Sequence, residues 1–281
     1  MRRFADTLTP GLEHVFEADH VIVEERTEYQ HLALFEHRLF GTVLILDGAV
    51  QLSTADEYVY HEMLAHVPLL AHGAVRDVLI VGGGDGGLAA RVLQHPQVRS
   101  VTLVEIDPAV VSFAKQHFRA MNEAAFADPR LELVIADGTL FAAATERRFD
   151  AVLVDSTDPV GPAKVLFEVA FYRNLQRCLR PGGVVAIQAG VPFIQPAEFA
   201  TALGNLRRVF AGAVPYLCTV PTYFGGQLAL GYAGPVDVPL DLLEERFRAV
   251  GGVSRYYTSQ VHRAAFALPP FVRDLLRPDG G

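Results

Sequence analysis

A strand-like run that ends in a glycine-rich turn constrains the fold of this chain more than any other segment. Residues 78–81 read Val-Leu-Ile-Val, and residues 82–87 read Gly-Gly-Gly-Asp-Gly-Gly. An apolar run followed by closely spaced glycines predicts a strand, a tight turn and a helix beginning at Leu88, as in nucleotide-binding sites. A bound diphosphate would favour a turn without negative charge. Because Asp85 places a carboxylate there, the sequence favours a positively charged nucleoside, such as a sulfonium, over NAD.

Composition restricts the class of protein and its partners. The chain has 281 residues and a formal net charge of −8. No apolar run reaches the ~18 residues of a membrane span, the first residues lack a secretory or transit signal, and no basic cluster suits nucleic acid. The two cysteines, Cys178 and Cys218, follow no metal or redox spacing. These features predict a cytoplasmic protein that binds neither membrane nor nucleic acid.

The hydrophobic pattern changes near residue 72 and predicts two domains, 1–72 and 73–281. The first is β-rich, with strand-like stretches at 31–36, 42–46 and 49–52 and a hairpin signal at Asp47-Gly48. A helical pattern at 57–70 closes it and stops near Pro68 and Gly73. In the second domain strand-like and helical runs alternate. Alternation of this kind predicts an α/β fold, a mostly parallel sheet with helices on both faces.

The alternating runs set the predicted element boundaries of the second domain. Strands are predicted at 78–81, 101–106, 131–136, 151–155, 184–188, 214–220 and 227–232. Helices are predicted at 88–94, 109–120, 167–179, 197–210 and 240–250. The segment Pro181-Gly182-Gly183 is typical of a helix stop that turns into the next strand.

Acidic residues follow four of the predicted strands. They are Asp85 after the first, Glu105 and Asp107 after the second, Asp137 after the third, and Asp155 with Asp158 after the fourth. Ligands of open α/β sheets bind beyond the carboxyl ends of the strands. Glu105 follows Gly82 at about the 20-residue spacing of an acid that accepts from ribose hydroxyls, and Asp137-Gly138 suits the adenine amine. A lone strand-end acid is more often a cap, as predicted for Asp107-Pro108, but a series in register favours a ligand site.

The loop 155–162 reads Asp-Ser-Thr-Asp-Pro-Val-Gly-Pro and carries two of these acids. A structural interpretation makes it a stiff turn, with the prolines limiting the backbone and Asp158 as a cap. That interpretation does not account for two carboxylates beside a nucleoside site. Two close carboxylates can bind a cationic amine and supply a general base.

Two weaker signals carry less information. His61 and His66 resemble the zinc-protease motif HExxH, but the spacing is one residue too long. Five helical positions turn the two side chains about 140° apart, so they cannot share a metal. Tyr223 lies in a loop near the sixth predicted strand, where packing and substrate contact are both open.

Several of these motifs together resemble one family. They are Tyr29-Gln30, Tyr58-Val59-Tyr60-His61-Glu62-Met63, Gly82-Gly83-Gly84-Asp85-Gly86, Val104-Glu105-Ile106-Asp107, Asp137-Gly138, residues 155–162, Pro221-Thr222-Tyr223, Arg255-Tyr256-Tyr257 and residues 265–269. By these motifs the chain resembles the polyamine aminopropyltransferases over almost its whole length. The glycine turn combined with the loop 155–162 is highly specific, whereas either motif alone is not.

The resemblance implies a function and a set of site residues. It implies transfer of an aminopropyl group from decarboxylated S-adenosylmethionine to putrescine, a Rossmann-like catalytic domain, a homodimer or homotetramer, and neither metal nor cofactor beyond the co-substrate. Donor binding is implied for Gln30, Asp85, Glu105, Asp137, Gly138 and Pro162. Diamine binding is implied for Tyr60, His61, Asp85, Asp155, Ser156, Thr157, Asp158, Gln188 and Tyr223, with Asp155 as proton acceptor. Lys164 departs from the family pattern, which often has an acid there.

Other functions stay open at this stage. The acceptor could instead be cadaverine, agmatine or spermidine. A diamine N-methyltransferase on the same fold would use the intact sulfonium, a binding protein would use the pocket without turnover, and an NAD-dependent dehydrogenase would need a turn without Asp85.

Overall fold

The computed structural model describes residues 2–7, 9–158 and 161–277, with the side chains of residues 161 and 162 left out. Within those residues, no helix combines the length and apolar character needed to cross a bilayer. The chain forms a small antiparallel β part at the N-terminus and a larger α/β part. This arrangement confirms the predicted fold class.

Six strands form the N-terminal part. They are β1 (Arg2–Asp6), β2 (His14–Ala18), β3 (His20–Arg26), β4 (His31–His37), β5 (Gly41–Leu46) and β6 (Ala49–Ser53). The first two pair with each other, and β3 to β6 form an antiparallel sheet in sequence order. Asp47 and Gly48 both have positive φ, as the predicted hairpin turn requires. The prediction missed β1, β2 and β3, because these strands are short or only partly buried and their sequences lack a clean alternation of apolar and polar residues.

Seven strands form the large sheet. They are β7 (Asp77–Gly82), β8 (Ser100–Glu105), β9 (Leu131–Ile135), β10 (Phe149–Asp155), β11 (Leu179–Gln188), β12 (Val214–Cys218) and β13 (Leu228–Ala233). Their spatial order is β12-β13-β11-β10-β7-β8-β9, and only β13 runs against its neighbours. The chain leaves β7 toward β8 on one side and later returns to β10 on the other. This change of direction opens a crevice at the carboxyl ends of β7 and β10, the usual ligand position in such sheets.

The helices are α1 (Glu57–His72), α2 (Gly87–Leu93), α3 (Pro108–His117), α4 (Arg119–Ala127), α5 (Gly138–Ala144), α6 (Val169–Cys178), α7 (Pro196–Val209), α8 (Leu240–Ala249), α9 (Ser259–Ala265) and α10 (Pro270–Asp274), with a 3-10 helix at Gly161–Phe167. The predicted helix 109–120 is two helices, because the backbone leaves helical geometry at the buried Phe118. The short helices α5, α9 and α10 were not predicted, since five to seven residues carry too little periodicity.

Helices cover both faces of the sheet because the strand residues alternate. In β7, Val78 and Ile80 belong to the core under α1 and α2, whereas Leu79 and Val81 belong to the core under α6 and α7. Helix α1 continues through Pro68 and ends at Gly73, whose positive φ lets its N–H reach the carbonyl of Leu69. Nearly all of α1 is buried against the large sheet. The crevice therefore has a well-packed helix on one side.

A buried histidine pair makes the fold sensitive to acid. His66 Nδ1 lies 2.9 Å from His95 Nε2, and burial lowers the pKa of His95 to about 4. Because the pKa of His95 is lower in the folded chain than in the unfolded chain, where it is near 6.5, protons bind the unfolded chain more readily. The free energy of unfolding is therefore highest above pH 6.5 and falls as the pH drops toward 4. At about 1.4 kcal/mol per pH unit, the loss amounts to about 3 kcal/mol.

We therefore expect a His95→Gln variant to show a flatter fall in unfolding free energy between pH 6.5 and 4 than the unmodified chain, measured by urea unfolding. The amide keeps a hydrogen-bonding partner for His66 but cannot titrate. His20→Gln, at an exposed histidine, is the matched control and should leave the slope unchanged. Parallel pH curves for all three proteins would contradict the prediction.

Candidate active site

One cavity of about 390 Å³ lies at the carboxyl ends of β7, β8 and β10, with the N-terminal sheet on its other side. Its lining includes nearly all of the residues that the sequence analysis selected: Gln30, Tyr60, His61, Asp85, Glu105, Asp137, Gly138, Asp155, Ser156, Thr157, Asp158, Gln188 and Tyr223. Pro162 belongs to the 3-10 helix, but its side chain lies outside the described residues. The volume falls within the range of small-molecule sites.

The glycine turn brings backbone against the end of β10. Gly82 pairs with Asp155 across the sheet, and Gly82 and Gly83 both have positive φ. A Cβ added at Gly83 would lie 2.8 Å from Asp155 Oδ2. Residues with a side chain are therefore disfavoured at Gly82 and Gly83, both by the backbone conformation there and by the closeness of Asp155.

Asp155 has one satisfied and one unsatisfied oxygen. The Tyr60 hydroxyl donates to its Oδ1 at 2.8 Å, whereas its buried Oδ2 has no hydrogen-bond partner within the described part of the chain. Burial, together with the charge of Asp85, raises the pKa of Asp155 to about 6. A carboxylate in this state is a proton acceptor near neutral pH.

Asp85 lies between two positively polarised groups. Its Oδ1 accepts from the Gly87 N–H at 2.6 Å, at the start of α2, and is 3.7 Å from His61 Nε2. On the other side of the ring, His61 Nδ1 lies 2.7 Å from Glu57 Oε2. Burial alone would lower the pKa of His61, but the charges of Asp85 and Glu57 raise it to about 9. The site therefore contains a buried cation among its acids.

His61, Asp85 and Asp155 each offer one atom to a group that spans 4.8 Å, a separation compatible with a metal ion. A histidine must be neutral to bind a metal. Glu57 and Asp85 favour the protonated form of the His61 ring. This group of side chains is therefore better suited to binding protons and charged amines than to coordinating a metal ion.

The acids beyond β8 and β9 form a second region of the cavity. Glu105 accepts from the N–H groups of Gly84 at 3.1 Å and Asp107 at 2.9 Å, and burial raises its pKa to about 7. Asp137 caps α5 by accepting from the Thr139 and Leu140 N–H groups. Each carboxylate oxygen has a second lone pair, so these roles leave acceptors for a ligand.

Gln30 connects the N-terminal part to this region. Its side-chain amide donates to Asp107 Oδ2 at 3.1 Å, and the Thr27 hydroxyl donates to the same oxygen at 2.8 Å. The other oxygen of Asp107 accepts from Ala109 N–H, so Asp107 is the helix cap that the sequence predicted. The turn between β3 and β4 is thereby attached to the end of β8.

Polar groups converge on Asp158 at the opposite end of the cavity. Gln188 and Gln195 donate to its Oδ1 at 3.0 and 3.1 Å, and burial raises its pKa. The oxygen of the Gln188 amide and the hydroxyl of Ser156 are buried, and neither has a hydrogen-bond partner among the described residues. This end of the cavity therefore presents unused acceptors to a polar ligand.

Tyr223 has a packing role, and its position also leaves substrate contact open. Its hydroxyl donates to the Gln51 carbonyl at 2.6 Å, which joins its loop to the N-terminal sheet, and its ring also lines the cavity. The same loop is also attached to the start of α1, because the Thr222 N–H donates to Asp56 Oδ2 at 2.6 Å.

Sequence reasoning missed three polar residues at the site. Gln195 follows a loop without a recognisable pattern, so no signal identified it. Glu57 stands four positions before His61 on one helix face, a spacing that does predict contact. Arg91, which donates to Glu57 Oε1 at 3.0 Å, comes from α2 and is brought there only by packing.

Comparison with known proteins gives consistent matches. The family model for the spermine/spermidine synthase domain matches residues 57–237, and that for the spermidine synthase tetramerisation domain matches residues 3–54. The chain is 46% identical over 276 residues to polyamine aminopropyltransferase 1 of Pseudomonas aeruginosa, covering 97% of this chain and 96% of the relative. It is 48% identical over 256 residues to the polyamine aminopropyltransferase of a Ruegeria species, covering 90% of each.

Solved structures match over the same extent. A crystal structure of spermidine synthase in complex with the transition state analogue AdoDATO aligns with a TM-score of 0.93 at 33% identity, covering 98% of this chain and 94% of that one. Spermidine synthase from Thermotoga maritima aligns with a TM-score of 0.89 at 32% identity, with the same coverage. The cavity, the family models and the relatives agree: the chain belongs to the spermine/spermidine synthase family and is an enzyme of the polyamine aminopropyltransferase type.

Proposed function

We propose that this enzyme transfers the aminopropyl group of decarboxylated S-adenosylmethionine to putrescine, giving spermidine and methylthioadenosine. One observation carries the proposal: the Oδ2 of Asp155, which has no partner among the described residues, lies in a cavity that also presents acids on both sides of it. A nucleoside on one side and a diamine on the other would meet at this atom. The relatives' names and the analogue complex of a similar structure support the same reaction.

The donor would occupy the region beyond β7, β8 and β9. Glu105 would accept from the ribose hydroxyls, and Asp137 with Gly138 would face the adenine edge. Asp85 would pair with the ammonium of the aminopropyl group, while Gln30 and Pro162 would border the nucleoside. Ile106, which lines the cavity and is partly exposed, adds apolar surface suited to a flat base.

The diamine would occupy the region between Asp155 and Asp158. Its reacting nitrogen would lie at Asp155 and Tyr60, and its distal ammonium would find the acceptors of Asp158, Ser156 and Gln188. Thr157 and Tyr223 would border the chain between the two nitrogens. His61 would support this region from behind Asp85, since its side chain is only 2% exposed.

The reaction requires loss of one proton. An alkylammonium resembles lysine, with a pKa near 10.4, so about one molecule in a thousand has a neutral nitrogen near pH 7.4, a deficit of about 4 kcal/mol. Asp155 accepts that proton. The nitrogen then forms a bond to the carbon next to sulfur, the carbon–sulfur bond breaks, and methylthioadenosine leaves as a neutral molecule. Alignment of nitrogen and carbon contributes several kcal/mol more.

Asp85 would select the decarboxylated donor. Intact S-adenosylmethionine would place its carboxylate against Asp85 and Asp155. Two like charges at ~4 Å repel by about 4 kcal/mol at an effective dielectric of 20. The donor without that carboxylate presents only an ammonium, which the same acids attract.

The remaining expectations belong to the same proposal. No metal or cofactor takes part, because the sulfonium needs no Lewis acid to leave. The partners are the two small molecules and further copies of this chain in a homodimer or homotetramer, supported by the tetramerisation domain match, and not nucleic acid or membrane. Two free, buried cysteines support a cytoplasmic location.

A competition assay tests the function. Decarboxylated S-adenosylmethionine with putrescine, cadaverine, agmatine and spermidine together should give mainly spermidine by mass spectrometry. A dominant product from another amine would correct the acceptor. Transfer of a methyl group from intact S-adenosylmethionine would instead identify a diamine N-methyltransferase. If neither assay gives a product, the chain would be a binding protein without turnover. Full activity after dialysis against EDTA is expected.

Removing the proton acceptor should stop the chemistry. We expect Asp155→Asn to lower kcat by two or more orders of magnitude near neutral pH, with little change in donor affinity by calorimetry. Asp274→Asn, at an exposed acid of α10, is the control and should retain full turnover. Near-normal turnover in Asp155→Asn would exclude this residue as the base.

Changing the donor-facing acid should relax donor choice. We expect Asp85→Asn to bind the decarboxylated donor less tightly and the intact one more tightly, so that the ratio of their Kd values falls at least tenfold. Isothermal titration with each donor measures the ratio. An unchanged ratio would mean that Asp85 does not discriminate.

A further inference from the structure

Four alternating charges form a row behind the cavity. From the back they are Arg91 on α2, Glu57 and His61 on α1, and Asp85 in the glycine turn. Arg91 donates to Glu57 at 3.0 Å, Glu57 lies 2.7 Å from His61 Nδ1, and His61 Nε2 lies 3.7 Å from Asp85. We name these residues the charge row.

Both ring nitrogens of His61 face a carboxylate. A neutral imidazole has one N–H and one lone pair, so one of its nitrogens would direct a lone pair at a carboxylate oxygen. The protonated ring donates to Glu57 on one side and presents its other N–H to Asp85 at 3.7 Å, an ion-pair distance. The contacts on either side of the ring therefore select the imidazolium.

Burial distinguishes the charge row from a surface ion pair. The exposed fraction is 2% for the His61 side chain, 9% for Glu57 and 16% for Arg91. The backbone of Gly87 packs against the ring, because a Cβ at that position would collide with it. Solvent does not screen such charges effectively, and removing one member leaves an uncompensated buried charge.

We propose that Glu57 is a positioning residue that holds His61 as a cation, and that this cation keeps the Asp155 carboxylate ionised before substrate binds. Arg91 fixes the Glu57 carboxylate in place. The proposal rests on the proposed aminopropyl transfer only for its effect on turnover, since the charge state of His61 is a property of the protein alone.

The groups around His61 support this direction. Titratable and charged neighbours are Glu57 and Tyr60 on its own helix, Arg91 on α2, Asp85 in the glycine turn, Asp155 at the end of β10, Tyr223 in its loop, and Arg255 near Glu57. One side-chain nitrogen or oxygen atom of each of His61, Asp85 and Asp155 lies within 4.8 Å of those of the other two. An opposite charge at such a distance lowers a carboxyl pKa by about one to three units. Without it, burial and Asp85 would raise the pKa of Asp155 further, toward neutral pH.

The charge state is tested directly in the ligand-free protein. In nitrogen-15 NMR of labelled histidines, the His61 signals, assigned by their loss in His61→Gln, should titrate with a midpoint near 9. Glu57→Gln removes one of the two carboxylates and should lower that midpoint by at least one pH unit. A neutral His61 at pH 7.5 in the unmodified protein would overturn the proposal.

The effect on Asp155 is tested by turnover. The acid limb of kcat/KM should lie near pH 6 in the unmodified enzyme. His61→Gln removes the cation at every pH, so the limb should move up by about one unit. With the activity of each enzyme expressed as a fraction of its own plateau, the variant would be about eightfold less active than the unmodified enzyme at pH 5.5 and within about twofold of it at pH 8. Glu57→Gln should keep the original limb, because His61 is still protonated at pH 6.

A matched control separates this effect from the loss of any ion pair. Arg119 and Glu123 form an exposed pair with the same four-residue spacing on α4, so Glu123→Gln should change neither the His61 midpoint nor the acid limb. An unmoved limb in His61→Gln with normal product would refute the proposal alone. Absence of aminopropyl transfer in the unmodified enzyme would refute the proposed function, while the NMR titration would still decide the charge state.

Discussion

The pairing of β7 with β10 is the constraint on which the site depends. It places Gly82 beside Asp155, so that the last residue of one strand and the turn after the other meet in the crevice where the strand order changes direction. Neither partner tolerates a change of bulk, because the turn has positive φ and its missing Cβ leaves room for the Asp155 carboxylate. The large cores on both faces of the sheet hold this register. The precise approach of two backbones is therefore a consequence of ordinary apolar packing elsewhere.

Several carboxylates lie close together in the cavity, and each needs hydrogen-bond donors or positive charge to stabilise it. The number and kind of these partners differ from one carboxylate to the next. Glu105 and Asp137 are satisfied mainly by backbone N–H groups, Asp158 by two amides, and Asp85 by a backbone N–H and the His61 ring. Among the described residues, Asp155 has the Tyr60 hydroxyl on Oδ1 and no donor on Oδ2. Burial raises the pKa of Glu105 to about 7 and that of Asp155 to about 6, so both acids can bind a proton near neutral pH. What distinguishes Asp155 is thus an oxygen that no donor of the described chain occupies.

The sequence predicts the positions of these acids but not their partners. Strand-end positions follow from apolar runs with clear boundaries, so the amino-acid pattern alone assigns Asp85, Glu105, Asp137 and Asp155 to one edge of a sheet. Partners such as Arg91 and Gln195 come from other elements and depend on side-chain packing, which no local pattern encodes. The break at Phe118 has the same origin, because tertiary burial of that ring overrides a continuous helical pattern. Glu57 is the exception, since its four-residue spacing from His61 on α1 predicts their contact.

Capping and ligand binding are competing interpretations of a strand-end acid in a sequence, yet one carboxylate in the folded protein can do the first without losing capacity for the second. Asp137 uses Oδ1 for the N–H groups of α5, and Asp85 likewise uses Oδ1 at the start of α2. A capping carboxylate is held by the helix end in one orientation, which removes side-chain freedom that a ligand would otherwise have to restrict. In the proposed reaction, fixing these acids in advance makes the site complementary to two cationic substrates before either one arrives. The helix starts would then be part of the proposed binding site, so that a strand-end cap does not by itself argue against a role in binding.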